Sequence, residues 1–395
     1  MKEPINVEDF RAIAKRRLPR FVFDTIDGGA GDEVTLRENR SAFQNFTLRP
    51  RALADVTQRD LTTTVLGQGV SMPLLLDPTG AGRLIHRDAE RIVARAAGRA
   101  GTIYALSSVT GPPEDIADVA EGPLWFQLYI LPTREQTEDL VRRAEKAEYA
   151  ALCVTIDGAI EALRERDRRN RMKPPVKVTP RLLAQGASRP KWALDFLRGG
   201  GSQIFGTRQM RKQMKQMDVR DVERAIMSLW RPVTWGYLAW IRDLWPKPLL
   251  VKGVMRGDEC QRMVEIGGDG IVVSNHGGRQ LDGVPGAIDV LPEVVDAVGG
   301  KAEVFVDGGV RRGSDVVKAV ALGAKAALVG RPYLYGLAAN GEAGVTRVLE
   351  MFRTEIDNTM ALLGCASIAD IDSSIVRRTS QPPPSFGQLP DKIDR

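Results

Sequence analysis

The stretch "SNHGGRQLDG", residues 274–283, directly follows the apolar run "GIVV" and holds one of only two histidines among 395 residues. His276 therefore stands at the end of a strand-like segment, beside a glycine pair and three residues before Arg279. Imidazole has an unperturbed pKa of about 6.5, close to neutrality, and a guanidinium offers an anion a fork of N–H donors. Two further stretches, "VDGGVRRG" (306–313) and "LVGRP" (328–332), each set glycine backbone beside arginine. Glycine lets backbone N–H groups approach an oxyanion closely, and arginine adds a bidentate contact. One such pair is more often only a turn, but two on successive strands read as a seat for a phosphorylated ligand. Lys252, after "PLLV", then has the task of neutralising negative charge at the other end of that ligand.

These groups need a scaffold that brings strand ends together. Eight short apolar segments recur: "PLLLDPT", "GTIYALSS", "PLWFQLYI", "AALCVTID", "PLLVKGV", "GIVVSNHG", "AEVFVDGG" and "AALVGRP". Amphipathic stretches such as "REQTEDLVRRAEKAEYA" and "RRGSDVVKAVALGA" lie between them. Eight strands alternating with helices is the count of an α/β (β/α)8 TIM barrel, over about residues 72–365. Strand starts are spaced about 25 to 30 residues apart except between 158 and 248, where a gap of about 90 residues must hold an insertion on the fourth βα loop, about 176–236. The segments "VEDFRAIAKRRL" and "RFVFDTIDGG" predict N-terminal helices, "GVTRVLEMFRTEIDNTMALLG" predicts a long closing helix, and the Pro-rich tail, about 378–395, is expected to be loose. Residues 1–395 are expected to form a single domain.

In such barrels the chemistry sits at the C-terminal ends of the strands. There the sequence places Asp77, Pro78 and Thr79, Ser107 and Ser108, Gln127 and Tyr129, Thr155 and Asp157, Lys252, Ser274 and His276, Asp307, and Gly330 with Arg331. Lys, His and Asp directly after four apolar residues are costly unless partnered, so the set reads as functional. An apolar fraction of 43% permits a large core. The 56 basic and 50 acidic residues leave a net charge of +6, a weak argument for an anionic partner and none for nucleic acid. Cys153, Cys260 and Cys365 lack any CxxC or finger spacing, so neither a disulfide nor a bound metal is expected. The start "MKEPINVEDF" lacks an apolar h-region, and no run of about 18 apolar residues occurs. A cytoplasmic or peripheral protein is the expectation.

"SNHGGRQLDG", "VDGGVRRGSDVVKA", "LWFQLYI" and "KRRLPRFVFDTIDGGAGDE" together resemble the FMN-dependent α-hydroxy-acid oxidase and dehydrogenase family, in order from about residue 6 to about 370. "LRERDRRNRM" and the length of the insertion are most similar to the bacterial (S)-mandelate dehydrogenases of that family. The resemblance implies FMN as cofactor and oxidation of an (S)-2-hydroxy acid to the 2-oxo acid, with flavin N5 accepting the hydrogen. It implies His276 as the base for the substrate hydroxyl, Asp157 as its partner, Tyr129 at the substrate oxygen, and Arg279 with Arg164 at the carboxylate. Ser107, Gln127 and Thr155 would hold the isoalloxazine edge and Lys252 its N1/O2 side. Ser274 would touch the ring or ribitol, Asp307 the ribitol hydroxyls, and Gly308, Gly309, Arg311, Gly330 and Arg331 would surround the phosphate. Chemical logic agrees, because removing an O–H proton and a Cα hydrogen from R–CH(OH)–COO⁻ needs a base near neutrality and a cation beside a flavin. The other histidine, His86, lies in "RLIHRDAE", a loop-to-helix entry. Hydride and carbanion routes use the same residues. The resemblance also implies a homotetramer, with electrons passing to a quinone, another acceptor or oxygen.

Three positions depart from the family pattern. Where "VYDY" is usual, "VFDT" stands, so Thr25 replaces a tyrosine that binds the substrate carboxylate. Where Ala or Gly lies against the flavin near N5, "DPTG" brings Asp77. A carboxylate there would oppose a reduced, anionic flavin by about 3–4 kcal/mol at an effective dielectric of about 20, unless protonated or salt-bridged. Val109 stands where glycolate oxidases carry tryptophan over the pocket, which favours a bulky or aryl substrate. Within the insertion, Lys177, Arg181, Arg189, Lys191, Arg198, Arg208, Arg211, Lys212 and Lys215 alternate with Leu182, Leu183, Trp192, Leu194, Phe196, Leu197, Ile204 and Phe205. Such a segment suits an anionic membrane surface, a lid over the site, or a dock for an acidic carrier protein. Alternatives to the leading function are an FMN tailoring oxidase for a modified amino acid, peptide or carrier-bound hydroxyacyl group, and a phosphate-binding barrel without redox chemistry.

Overall fold

The computed structural model describes residues 3–80, 82–172, 179–199 and 231–379. Three short strands, β1 (Phe46–Leu48), β2 (Thr63–Val65) and β3 (Gln68–Val70), precede the barrel. The barrel strands are β4 (Leu74–Leu76), β5 (Tyr104–Ser107), β6 (Leu124–Leu128), β7 (Ala151–Thr155), β8 (Leu249–Val254), β9 (Gly270–Val273), β10 (Glu303–Val306) and β11 (Ala326–Val329). They pair in parallel and close on themselves in chain order, β11 beside β4. Each falls within one of the eight predicted segments. Their residues are buried on both faces, which is why they read as unbroken apolar runs instead of alternating ones.

The lumen is a packed core. Leu75, Trp125, Cys153, Leu250, Phe305 and Leu328 fill it, with the Trp125 and Phe305 rings edge to face at 5.4 Å. The β2–β3 hairpin plugs the bottom: Val65 and Val70 join that core, and Leu66 N–H donates to Glu303 Oε2 at 2.9 Å. Only the C-terminal rim of the strands remains for polar groups. Register sets their heights there, with Ser107 opposite Gln127 and Thr155 opposite Lys252. A bulge at the end of β8 frees Gly253 (φ 105°), whose missing Cβ leaves room for the Asp157 side chain.

Helices α1 (Val7–Arg17), α2 (Arg20–Asp27) and α3 (Val34–Ser41) flank the rim. Asn6 caps α1 by accepting from Asp9 N–H at 2.8 Å, and acidic and basic residues occupy its first and last turns as the helix dipole favours. The last helix, Arg331–Leu363, bends where Asn340 and Gly341 leave helical geometry, and α1 packs along it. A final strand, β12 (Val376–Arg378), pairs antiparallel with β1, Phe46 opposite Arg378. Asp27 joins these parts, accepting from Arg11 at 2.6 and 2.9 Å, from Arg166 at 3.1 Å and from the Tyr335 hydroxyl at 2.8 Å. Burial alone would raise its carboxyl; Arg11 above all, with Tyr335 and Arg331, brings it down to about 2.

The described part of the insertion forms helices Pro180–Ala187 and Pro190–Arg198. Leu182 and Trp192, expected among its lipid anchors, are instead buried on the barrel. Trp192 Nε1–H donates to Leu84 O at 2.7 Å, and its ring meets Phe21 edge-on at 5.7 Å. Leu183, Leu194 and Leu197 are exposed. The rest of the basic run, and the tail expected to be loose, lie mostly outside the described residues. The three cysteines are free and buried.

Candidate active site

The histidine loop departs from ordinary backbone geometry. His276, Gly277 and Gly278 all take positive φ, at 59°, 62° and 72°, and a non-glycine residue held there costs about 1–3 kcal/mol. Its neighbours fix it. Asn275 and Asn39 of α3 exchange amide hydrogen bonds at 2.7 and 2.8 Å, Gly278 N–H donates to Asn275 Oδ1 at 3.0 Å, and His276 N–H donates to Ser274 Oγ at 3.0 Å. The imidazole is thereby presented with Nδ1 2.9 Å from Asp157 Oδ1 and Nε2 3.2 Å from the Tyr129 hydroxyl. Burial raises the Asp157 carboxyl, but the charge and hydrogen bond of His276, with Lys252, hold it below the usual range. Burial and Asp157 push the Tyr129 phenol up, so it stays a neutral hydroxyl. Asp157 is ionised at neutral pH and ready to steady a proton on the imidazole.

Beside this line lies an excess of positive charge. Arg279 donates from Nη1 to the carbonyls of Thr25 at 2.9 Å and Gly28 at 2.8 Å, the only hydrogen bonds its guanidinium makes among the described residues. Arg164 Nε donates to Arg279 O at 3.1 Å. Burial, reinforced by Arg164 and Arg331, lowers the Arg279 guanidinium to about 9. Its other N–H donors, in a site short of anions, suit a carboxylate. Thr25 contributes differently from expectation: its hydroxyl donates to Phe21 O at 2.9 Å or Asp167 Oδ1 at 2.8 Å, so only its carbonyl reaches the site.

Across the rim, Ser107 Oγ donates to Gln127 Oε1 at 2.8 Å and Gln127 Nε2 to Thr155 Oγ1 at 2.9 Å, a buried polar ladder. Lys252 is bonded to Asp307 and, at 3.0 Å, to Ser274, which itself donates to Asp307 at 2.8 Å. Asp77 N–H is held by Val329 O at 3.0 Å, and the Tyr333 hydroxyl bonds Asp77 O at 2.9 Å and meets the Thr79 hydroxyl at 2.7 Å. Pro78 links Asp77 to Thr79.

Of the residues expected at the phosphate, Arg331 donates from its guanidinium to the carbonyls of Ile26 at 3.0 Å, Gly28 at 2.8 Å and Gly277 at 2.9 Å, where it braces α2 against the histidine loop. Gly330 and the Arg331 backbone still open the long last helix, an anion-attracting end. Arg311 donates from Nη1 to Val310 O at 2.8 Å, its Nε is buried without a hydrogen-bond partner among the described residues, and burial with Arg331 and Arg40 lowers its guanidinium. Gly308 and Gly309 are required by packing: a Cβ at Gly309 would overlap the backbone carbonyl of Asn39.

FMN needs a polar edge for its ring, a cation near N1 and O2, and an anion seat. The ladder, Lys252, and Arg311 with its orphaned N–H at a helix start provide all three, so the donor set fits. Among the described residues no cluster of His, Cys, Asp and Glu could hold a metal ion. Sequence reasoning missed Asn39, Asn275, Tyr333 and the Asp27 junction. Asn275 lay inside the quoted stretch, whereas Asn39 carries no local signal.

Comparison with known proteins gives a consistent result. The family model for FMN-dependent dehydrogenase matches residues 14–378. The chain is 43% identical over 383 residues to the L-lactate oxidase of Nostoc sp., covering 95% of this chain and 99% of that protein. It is 41% identical over 367 residues to the (S)-mandelate dehydrogenase of Pseudomonas putida, covering 93% and 92%. Among solved structures it is similar to the monotopic membrane protein (S)-mandelate dehydrogenase, with a TM-score of 0.89, 40% identity, and coverage of 96% of this chain and 100% of that one.

Proposed function

The chain belongs to the FMN-dependent dehydrogenase family, and from that premise we propose that it oxidises a bulky or aryl (S)-2-hydroxy acid to the 2-oxo acid. The observation that carries this reading is the line Asp157–His276–Tyr129 beside an Arg279 that makes no ion pair among the described residues. Bound FMN supplies the acceptor for two electrons and the Cα hydrogen. His276 Nε2 takes the hydroxyl proton while Asp157 holds Nδ1–H and balances the imidazolium. Tyr129 donates to the substrate oxygen, Arg279 pairs with the carboxylate, and Arg164 adds positive charge. Ser107, Gln127 and Thr155 would hold the ring edge and Lys252 and Ser274 its N1/O2 side, and Asp77, Pro78 and Thr79 would lie against the ring near N5. Asp307 would meet the ribitol, and Gly308, Gly309, Arg311, Gly330 and the Arg331 backbone the phosphate.

Two departures supply room for a large side chain: the Thr25 hydroxyl is turned away, and Val109, beside Gly80, stands where an indole would project. The yellow holoenzyme is expected to bleach anaerobically at least tenfold faster with (S)-mandelate than with glycolate, with (S)-lactate between them. Efficient turnover of glycolate would overturn the size preference, and recolouring in air identifies oxygen as an acceptor in place of a quinone. If none of the three acids bleaches it, the reading passes to a tailoring oxidase for a modified amino acid, peptide or carrier-bound hydroxyacyl group. Asp77, a carboxylate at the rim, favours that alternative.

Exposed Leu183, Leu194 and Leu197 lie among Arg181, Lys191 and Arg198, an arrangement suited to an anionic membrane surface. The protein is expected to sediment with phosphatidylglycerol vesicles, and Leu194→Glu with Leu197→Glu to lower the bound fraction several-fold without changing flavin content. Equal binding of both proteins would sink this.

A further inference from the structure

Lys252 faces more carboxylate than one ammonium balances. Its Nζ bonds Asp307 and Ser274, and Asp77, from the end of β4, brings a second carboxylate to 3.4 Å. Asp77 Oδ1 and Asp307 Oδ1 are buried and neither has a hydrogen-bond partner among the described residues. The other titratable groups turned toward Asp77 add no cation. Tyr333 of the last helix and Cys153 of β7 are both kept neutral by burial, the thiol pushed up to about 12. Asp157 nearby is engaged by His276. A desolvated excess of negative charge is relieved by binding a proton, and electrons added beside Lys252 enlarge that excess while the ammonium is already committed to Asp307.

We propose that Asp77 is a redox-linked proton site: it takes up one proton from solvent when two electrons are added to the bound flavin and releases it on reoxidation. The proposal rests on the placement of Lys252 at the flavin ring argued above. The balance closes, since two electrons and one proton come from the Cα–H bond of the hydroxy acid, the hydroxyl proton goes to His276, and the Asp77 proton is drawn from water. Burial, opposed by Lys252 and reinforced by Asp307, pushes the Asp77 carboxyl up to about 8. Below that pH Asp77 is protonated before and after reduction and adds nothing. Above it the oxidised protein holds a carboxylate, and reduction must bring the proton in.

The test is the midpoint potential of wild-type and Asp77→Asn holoenzyme, equilibrated with reference dyes from pH 6.5 to 9.5. Asparagine resembles the protonated acid, so the two proteins are expected to agree at pH 6.5 within threefold in the reduction equilibrium. Above pH 8 the wild-type equilibrium should fall by a further tenfold per pH unit, about 30 mV for a two-electron couple. Sulfite, an anion that adds reversibly to oxidised flavin, should bind Asp77→Asn about tenfold more tightly at pH 9 and equally at pH 6.5. Parallel pH slopes, or an offset of the same size at every pH, overturn the proposal. If Asp77→Asn retains no FMN, the wild-type slope decides alone: no additional proton above pH 8 sinks the idea. Wild-type protein that binds no FMN would count against the proposed function, whereas wild-type holoenzyme with an unchanged slope counts against Asp77 only.

Discussion

Replacing His276 by alanine is expected to slow reduction of the bound flavin by a saturating hydroxy acid about 10⁴-fold, the upper range for loss of a positioned general base. The flavin absorbance of the resting protein should not change, because the imidazole contacts Asp157 and Tyr129 and not the polar ladder across the rim. Alanine at φ 59° is strained, so His276→Asn, better tolerated at positive φ, separates chemistry from loop distortion. Both variants should lose activity alike. Asp157→Asn keeps an acceptor for Nδ1–H but removes the charge facing it, and about a 10²-fold loss is expected. Anaerobic stopped-flow bleaching measures all three. A His276→Asn rate within tenfold of wild type would place the base elsewhere.

Gly309→Ala is expected to lose both stability and cofactor. At φ 88° a side chain is already strained, and its Cβ would overlap the Asn39 carbonyl, so α3 would have to move off the rim. Strain and clash together cost about 3 kcal/mol or more, a fall in Tm of roughly 4 °C or more for a chain of this size. Less than half the purified protein should carry FMN by absorbance ratio. Gly308→Ala has the same strain, but its Cβ would meet the end of the Asn39 side chain at 3.2 Å, so the expected loss is smaller. A Gly309→Ala protein with wild-type Tm and full flavin would show that α3 has room to give.

These two positions show what sequence reveals. His276 was legible because a scarce ionisable residue just beyond the end of a buried apolar run needs a partner, and all eight strands were legible because each is a local apolar run. Gly309 was read as making way for a phosphate, but its nearest constraint is a carbonyl about 270 residues earlier in the chain. The orientation of Arg331 was not legible for the same reason, since its guanidinium is directed by carbonyls at the end of α2 and in the histidine loop. Trp192 has the composition of a membrane anchor, and only the groove between Phe21 and Leu84 makes it core. The pairing of Asp77 with Lys252 requires barrel closure, which brings β4 and β8 to opposite sides of one rim.

The antiparallel pair of β1 with β12 joins Phe46 to Arg378, and α1 lies along the last helix. On the ribosome, α1 emerges first, and the last helix on which it docks follows only after more than 300 further residues, a wait of roughly 15–70 s at about 5–20 residues per second. Throughout that interval Val7, Phe10 and Ile13 of α1, buried at the end, lack the helix that covers them and stay open to chaperones or to neighbouring nascent chains. Asn39 and Gly28, which set the histidine loop and Arg279, travel with the same segment. A chain released before the last helix lacks the surface on which α1 docks, so the segment that carries Asn39 and Gly28 to the rim is held at one end only.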